Sequence, residues 1–148
     1  LVLSSRIRGE AGAAATTQAA VAEEVRATGT PVEPPAVVLS GGETTVTLAD
    51  DHGRGGPNQE FVLTGALELA CSGVVAAVDT DGIDGATDAA GAIADDTTVG
   101  TDAGIDPSAA ADALARNDAY PVLDDANALV RTGPTGTNVN DLRVLVVD

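Results

Sequence analysis

The chain has 148 residues, a length that fits one domain with a real core, and its 23 acidic residues against 7 basic ones give a formal net charge of −16. All seven basic residues are arginine, so no basic stripe exists to displace counterions from a duplex, which excludes nucleic acid as a partner. No apolar run reaches 18 residues and no charged-then-apolar segment opens the chain, so a membrane span is excluded and a cytoplasmic location expected.

In chain order, LVLSS (1–5) reads as a strand and the alanine-rich 10–28 as a helix. The polar connection TGTPVEPP (28–35) follows, its residues before proline pushed to extended geometry. AVVLS (36–40) and TTVTL (44–48) read as two strands. The link at 41–43 is too short for a parallel crossover, so they are expected to turn back on each other. A helix is expected over 58–70, with Pro57 at its first position, where the missing N–H costs nothing. Cys71 closes that run and reads as a small buried hydrophobe with no disulfide partner in the chain. Then come the strand VVAAVD (74–79), helices over 107–116 and 118–127, and the strands ALVRT (128–132) and LRVLVV (142–147). Asp106 before Pro107 reads as an N-cap. With Phe61 and Tyr120 the only aromatics, the core falls to Ala, Val and Leu. The pattern predicts one α/β domain over 1–148, a layered α/β/α arrangement around a mixed sheet of about six strands.

Four loops carry candidate chemistry, and strand carboxyl ends are where open α/β sheets bind ligands. SGGE (40–43) puts Glu43 beside flexible glycines, as a ligand carboxylate or as the exposed tip of a hairpin. DHGRGGPNQE (51–60) runs three glycines and Arg54 into a helix start. Free N–H groups there suit an anion, Arg54 can grip a carboxylate or phosphate, and Asn58, Gln59 and Glu60 can cap the helix or touch a polar ligand. His52 borders this loop without a visible partner and reads as solvated.

DTDGIDGATDAAG (79–91) is acidic but fails as an EF-hand. Counting from Asp79, position 6 is Asp84 where glycine is needed, and position 12 is Ala90. Magnesium asks only one or two carboxylates, so Asp81 and Asp84 stand as metal candidates against a solvated turn, with Asp88 as a cap or solvated acid. TGPTGTNVND (132–141) is long for a turn between two antiparallel strands, and Thr135, Thr137 and Asn138 can bind phosphate or sugar oxygens. Walker A, G-x-G-x-x-G and G-x-S-x-G are all absent.

Taken together, SGGETTVT (40–47), GRGGPNQEF (53–61), TDGIDGATDAAGAI (80–93), NDAY (117–120) and TGPTGTNVNDLRVL (132–145) resemble the C-terminal MOFRL domain of the class II glycerate kinases. The resemblance spans about residues 36–148, and SSRIRGEA (4–11) resembles the segment that precedes that domain. It implies a two-domain enzyme whose N-terminal Rossmann-like domain lies outside this chain, as the start at Leu1 also suggests. It implies transfer of the ATP γ-phosphoryl to the 2-hydroxyl of D-glycerate with Mg²⁺, in a cleft between the domains. Arg54 would then hold the anionic substrate, Asp81 and Asp84 the metal or the hydroxyl, and Thr135, Thr137 and Asn138 the phosphate or substrate oxygens. Many members carry arginine where this chain has Pro57, which leaves Arg54 as the loop's fixed cation. The alternatives are a non-catalytic small-anion-binding domain and a hydroxypyruvate reductase. The acidic, lysine-free composition adds the expectation of a halophilic archaeal source, since about 1 M salt shortens screening to roughly 3 Å and mutes self-repulsion.

Overall fold

A computed structural model describes residues 1–69, 73–100 and 104–148; Cys71 lies outside them. The elements are β1 (Val2–Glu10), α1 (Ala11–Thr28), β2 (Ala36–Thr45), α2 (Pro57–Glu68), β3 (Gly73–Asp79), β4 (Gly91–Asp95), α3 (Pro107–Ala115), α4 (Ala119–Asp125), β5 (Leu129–Val130) and β6 (Asp141–Val147). They form one mixed sheet of six strands in the order β1-β2-β6-β3-β4-β5. Among the described strands only β1 and β2 pair in parallel; the other neighbouring pairs are antiparallel.

The expected number of strands is right, although three elements differ. Residues 36–45 are one continuous strand, paired with β1 on one side and β6 on the other, so the hairpin at 41–43 does not form. Gly42 serves a close approach instead of a turn. Its φ is +135°, and a Cβ there would stand 2.1 Å from the Ile7 carbonyl oxygen. The sixth strand is β4, whose short GAIAD sequence carries no strong strand signal. β5 is shorter than expected. It is also no neighbour of β6, because β3 and β4 lie between them. The 131–140 connection therefore crosses three strand spacings, roughly 14 Å, which accounts for its length.

All four helices pack together on one face of the sheet, α1 against α2 and α2 against α3 and α4. The strand residues facing them are Val38, Val75, Ala77, Ala92, Ala94, Leu145 and Val147, all buried with Phe61, Leu63 and Leu123. This is the layered α/β class with a mixed six-stranded sheet that the sequence predicts, with the described helices packed against one face. On the opposite face Val37, Ile93 and Leu142 remain exposed. Among the described residues, no helix is long and apolar enough to cross a membrane.

The helix ends follow their local chemistry. Pro57 opens α2, and the Asp106 carboxylate caps α3 by accepting from Ser108 and Ala109 N–H. Because the strands pack mostly alanine and valine against the helices, the fully buried Phe61 ring fills much of that space. Phe61→Ala should cost about 3–5 kcal/mol, read as a lower denaturant midpoint at unchanged slope. A loss under about 1 kcal/mol would show that the core does not depend on that ring.

Candidate functional site

β1, β2 and β3 end on the same side of the sheet, where α2 begins and the 80–90 and 131–140 loops lie. The two loops are sewn together by backbone and hydroxyl contacts. Thr80 donates N–H and Oγ1–H to the Asn140 carbonyl at 3.2 and 2.8 Å. Thr135 Oγ1 donates to the Thr80 carbonyl at 2.5 Å, and Thr135 N to the Asp81 carbonyl at 3.0 Å. At Gly82, with φ +94°, a Cβ would fall 2.1 Å from the Gly133 oxygen, so only glycine lets the loops meet.

Beneath them Asp84 is buried, 1% exposed, and its carboxylate sits on the first turn of α2. Oδ1 accepts from Asn58 N at 3.0 Å and Asn58 Nδ2 at 3.2 Å, while Oδ2 accepts from Gln59 N at 2.9 Å. The free N–H groups expected to bind an external anion are therefore taken by the protein's own carboxylate. Gly56 makes room for it, since a Cβ there would lie 2.4 Å from Asp84 Cγ. Asp84, expected as a metal ligand, is thus buried and turned onto the start of α2, whereas Asp81 stays partly exposed. Among the described residues, no three Asp, Glu, His or Cys side chains converge as a metal cage.

Asn58 and Gln59 likewise point inward, not toward a ligand. Asn58 Nδ2 also donates to Asp141 Oδ1 at 2.8 Å, and Gln59 Nε2 donates to Thr87 Oγ1 at 3.0 Å. Asp141 accepts in turn from Thr44 N and from Arg143, a fully buried arginine that also reaches Thr44 Oγ1 at 2.8 Å. This buried ion pair was missed in the sequence reading. The signal was the alternation of DLRVLVV, which puts Asp141 and Arg143 on the same face as Leu145 and Val147.

Other candidates remain accessible. Arg54 and Glu60 line a cleft of about 180 Å³ with His52, Gly55, Gly56, Pro57, Gly85 and Asn117. Glu60 is largely buried there and accepts from Asn117 Nδ2 at 2.8 Å; burial pushes its carboxyl above the ordinary range. Asp81 is partly exposed, its Oδ1 accepting from Ile83 N and its Oδ2 from Asn138 Nδ2 at 3.2 Å. Asp79 stands beside it, accepting from Asp81 N at 3.0 Å. Thr135, Thr137 and Asn138 are exposed. Glu43 lines a different cleft, of about 580 Å³, with Arg6, Arg8 and Asn140. Asp88, read from sequence as a cap or solvated acid, is exposed and accepts from the Arg54 guanidinium at 2.9 Å and from Tyr120 OH at 2.6 Å.

Burial raises the Asp84 carboxyl to about 6, against hydrogen bonds from Asn58 and Gln59 that pull the other way. The native state therefore holds this proton more tightly than the unfolded chain. The stabilisation this gives is complete below the ordinary aspartate range and is lost as pH rises from about 4 to about 6. Compared with Asp84→Asn, the wild type should lose stability over that window by up to about 1.4 kcal/mol per pH unit. Denaturant unfolding at several pH values checks this; parallel pH profiles would contradict it.

Comparison with known proteins adds the family context. Residues 36–141 match the model of the MOFRL family. The chain is 48% identical to a "Putative hydroxypyruvate reductase" of Agrobacterium vitis, with 99% of this chain covering 34% of that one. It is 40% identical to a glycerate 2-kinase of Pyrococcus horikoshii, with 99% covering 33%. The crystal structure of glycerate kinase from Thermotoga maritima superposes with a TM-score of 0.90 at 37% identity, covering all of this chain and 36% of that one. The chain thus spans about a third of the length of these relatives.

Proposed function

Because the chain belongs to the MOFRL family, we propose that it is the C-terminal part of a glycerate 2-kinase, which moves the ATP γ-phosphoryl to the 2-hydroxyl of D-glycerate. The glycerate kinase relatives support this reading. The observation that carries it to particular residues is the placement of Arg54 and the largely buried Glu60 on one small cleft at the start of α2.

In the reaction the 2-hydroxyl oxygen bonds to the γ-phosphorus, the bond to the β,γ-bridging oxygen breaks, and ADP leaves. The hydroxyl proton must be accepted. Glu60, in the cleft with Arg54 and held by Asn117, is the carboxylate suited to that task, since burial lifts its proton affinity. Arg54 contacts the glycerate carboxylate, where a planar guanidinium can make two parallel hydrogen bonds. Thr135, Thr137 and Asn138 offer hydroxyl and amide groups to phosphate oxygens from the exposed loop above. Asp81 and Asp79 are the carboxylates that would hold Mg²⁺, which when bound neutralises phosphate charge. Asp84 serves this site by fixing the start of α2 and not by touching the ion. With no lysine in the chain, any lysine acting on the transferred group comes from outside these residues.

The full-length gene product should form ADP and 2-phosphoglycerate from ATP-Mg²⁺ and D-glycerate. Hydroxypyruvate-dependent oxidation of NAD(P)H without phosphorylation would favour the reductase named among the relatives. Glycerate binding without any turnover would favour a non-catalytic anion-binding role. Arg54→Ala should raise KM for D-glycerate by about tenfold or more, through loss of a charge-assisted pair; an unchanged KM would remove Arg54 from the anion contact.

A further inference from the structure

Arg54 is held far more tightly than an exposed loop arginine requires. Its backbone N–H donates to Asp118 Oδ1 at 2.8 Å, and its carbonyl accepts from Tyr120 N at 2.9 Å. Its guanidinium lies over the Tyr120 ring, 3.7 Å from the centroid, and Nη2 donates to Asp88 Oδ1 at 2.9 Å. Tyr120 OH donates to the same Asp88 oxygen at 2.6 Å. Arg131 closes the ring from behind: Nη2 donates to Tyr120 OH at 2.8 Å and to Asp124 Oδ1 at 2.8 Å, and Nε lies 3.4 Å from Asp88 Oδ2.

Two features argue that this cluster exists for Arg54 and not for stability. The charged side chains are between 41% and 61% exposed, and ion pairs so exposed add little to folding. The chain also has one tyrosine, and its ring is spent on stacking a cation. Asp88 sits between Thr87 and Ala89, whose own bonds to Asp84 fix the local backbone: Thr87 Oγ1 donates to the Asp84 carbonyl and Asp84 N to the Ala89 carbonyl, both at 2.7 Å.

We infer that Tyr120, Asp88 and Arg131 form a clamp that positions Arg54 for an anionic substrate and acts on that substrate only through the Arg54 guanidinium. The inference rests on the reading of Arg54 as the anion contact. A free arginine loses rotamer freedom on binding. One already stacked and tethered through one Nη2 hydrogen has settled that loss beforehand, and the guanidinium edge that this bond does not use remains available to a carboxylate. The clamp residues are therefore positioning residues, and their removal should weaken binding without slowing the bound substrate.

The test is steady-state kinetics of the full-length gene product with D-glycerate, on Asp88→Asn and Tyr120→Leu in wild-type and Arg54→Ala backgrounds. Each clamp variant should raise KM about three- to tenfold with kcat within about twofold. Tyr120→Phe, which keeps the ring, should stay closer to wild type than Tyr120→Leu. In the Arg54→Ala background neither clamp substitution should raise KM further, because each acts through the missing side chain. Asp88 is at the surface, so its variant remains informative if Tyr120→Leu fails to fold. If Arg54→Ala raises KM while Asp88→Asn leaves it unchanged, or if the clamp effects persist without Arg54, the clamp is wrong. If Arg54→Ala leaves KM unchanged, the anion-contact reading falls and the clamp with it.

Discussion

The Asp84 carboxylate on the first turn of α2 is the contact on which the rest of the site depends. One side chain satisfies the N–H groups of Asn58 and Gln59, and it belongs to the acidic loop after β3. It therefore pins the glycine-rich loop before α2 to the loop before β4. Two glycine positions make this possible, Gly56 against the carboxylate and Gly82 against the neighbouring strand connection. A cap of this kind contributes about 1 kcal/mol by itself. Its larger effect is geometric, since it fixes where Arg54, Glu60 and Asp81 stand relative to one another.

Below the pin lies a layer of buried polar groups that is unusual in so small a core. Asn58 bridges Asp84 and Asp141, Asp141 meets Arg143, and Arg143 reaches Thr44. This layer ties α2, β6 and the end of β2 together by directional bonds where the alanine-rich core offers little shape to lock them. A buried ion pair contributes little net stability once desolvation is counted, yet removing one partner strands the other charge. The layer therefore specifies how the elements are aligned more than it holds them together. The accessible groups sit above it, and the clamp of Tyr120, Asp88 and Arg131 extends the same logic to the surface.

Much of this was legible in the sequence where local chemistry is strong. Pro57 and Asp106 marked helix starts, and the apolar runs between helical stretches marked an α/β sheet; that it is mixed was expected from a hairpin at 41–43 that does not form. The errors arose where a residue's meaning comes from a distant partner. Gly42 looked like a turn because its contact, the Ile7 backbone, belongs to a strand far earlier in the chain. Asp84 looked like a ligand because a carboxylate among glycines gives no hint that a helix start 25 residues upstream will claim it. Asp141 and Arg143 were within reach of the alternation rule.

Asp84 is an internal cap, buried against the start of α2. The most direct measurement is a carbon-detected NMR titration of its side-chain carboxyl in the folded protein, with and without Mg²⁺. Its midpoint should be raised to about 6, and Mg²⁺ should leave it in place. A midpoint in the ordinary aspartate range, or one that Mg²⁺ drives sharply downward, would mean that the carboxylate faces solvent or the ion and is no internal cap.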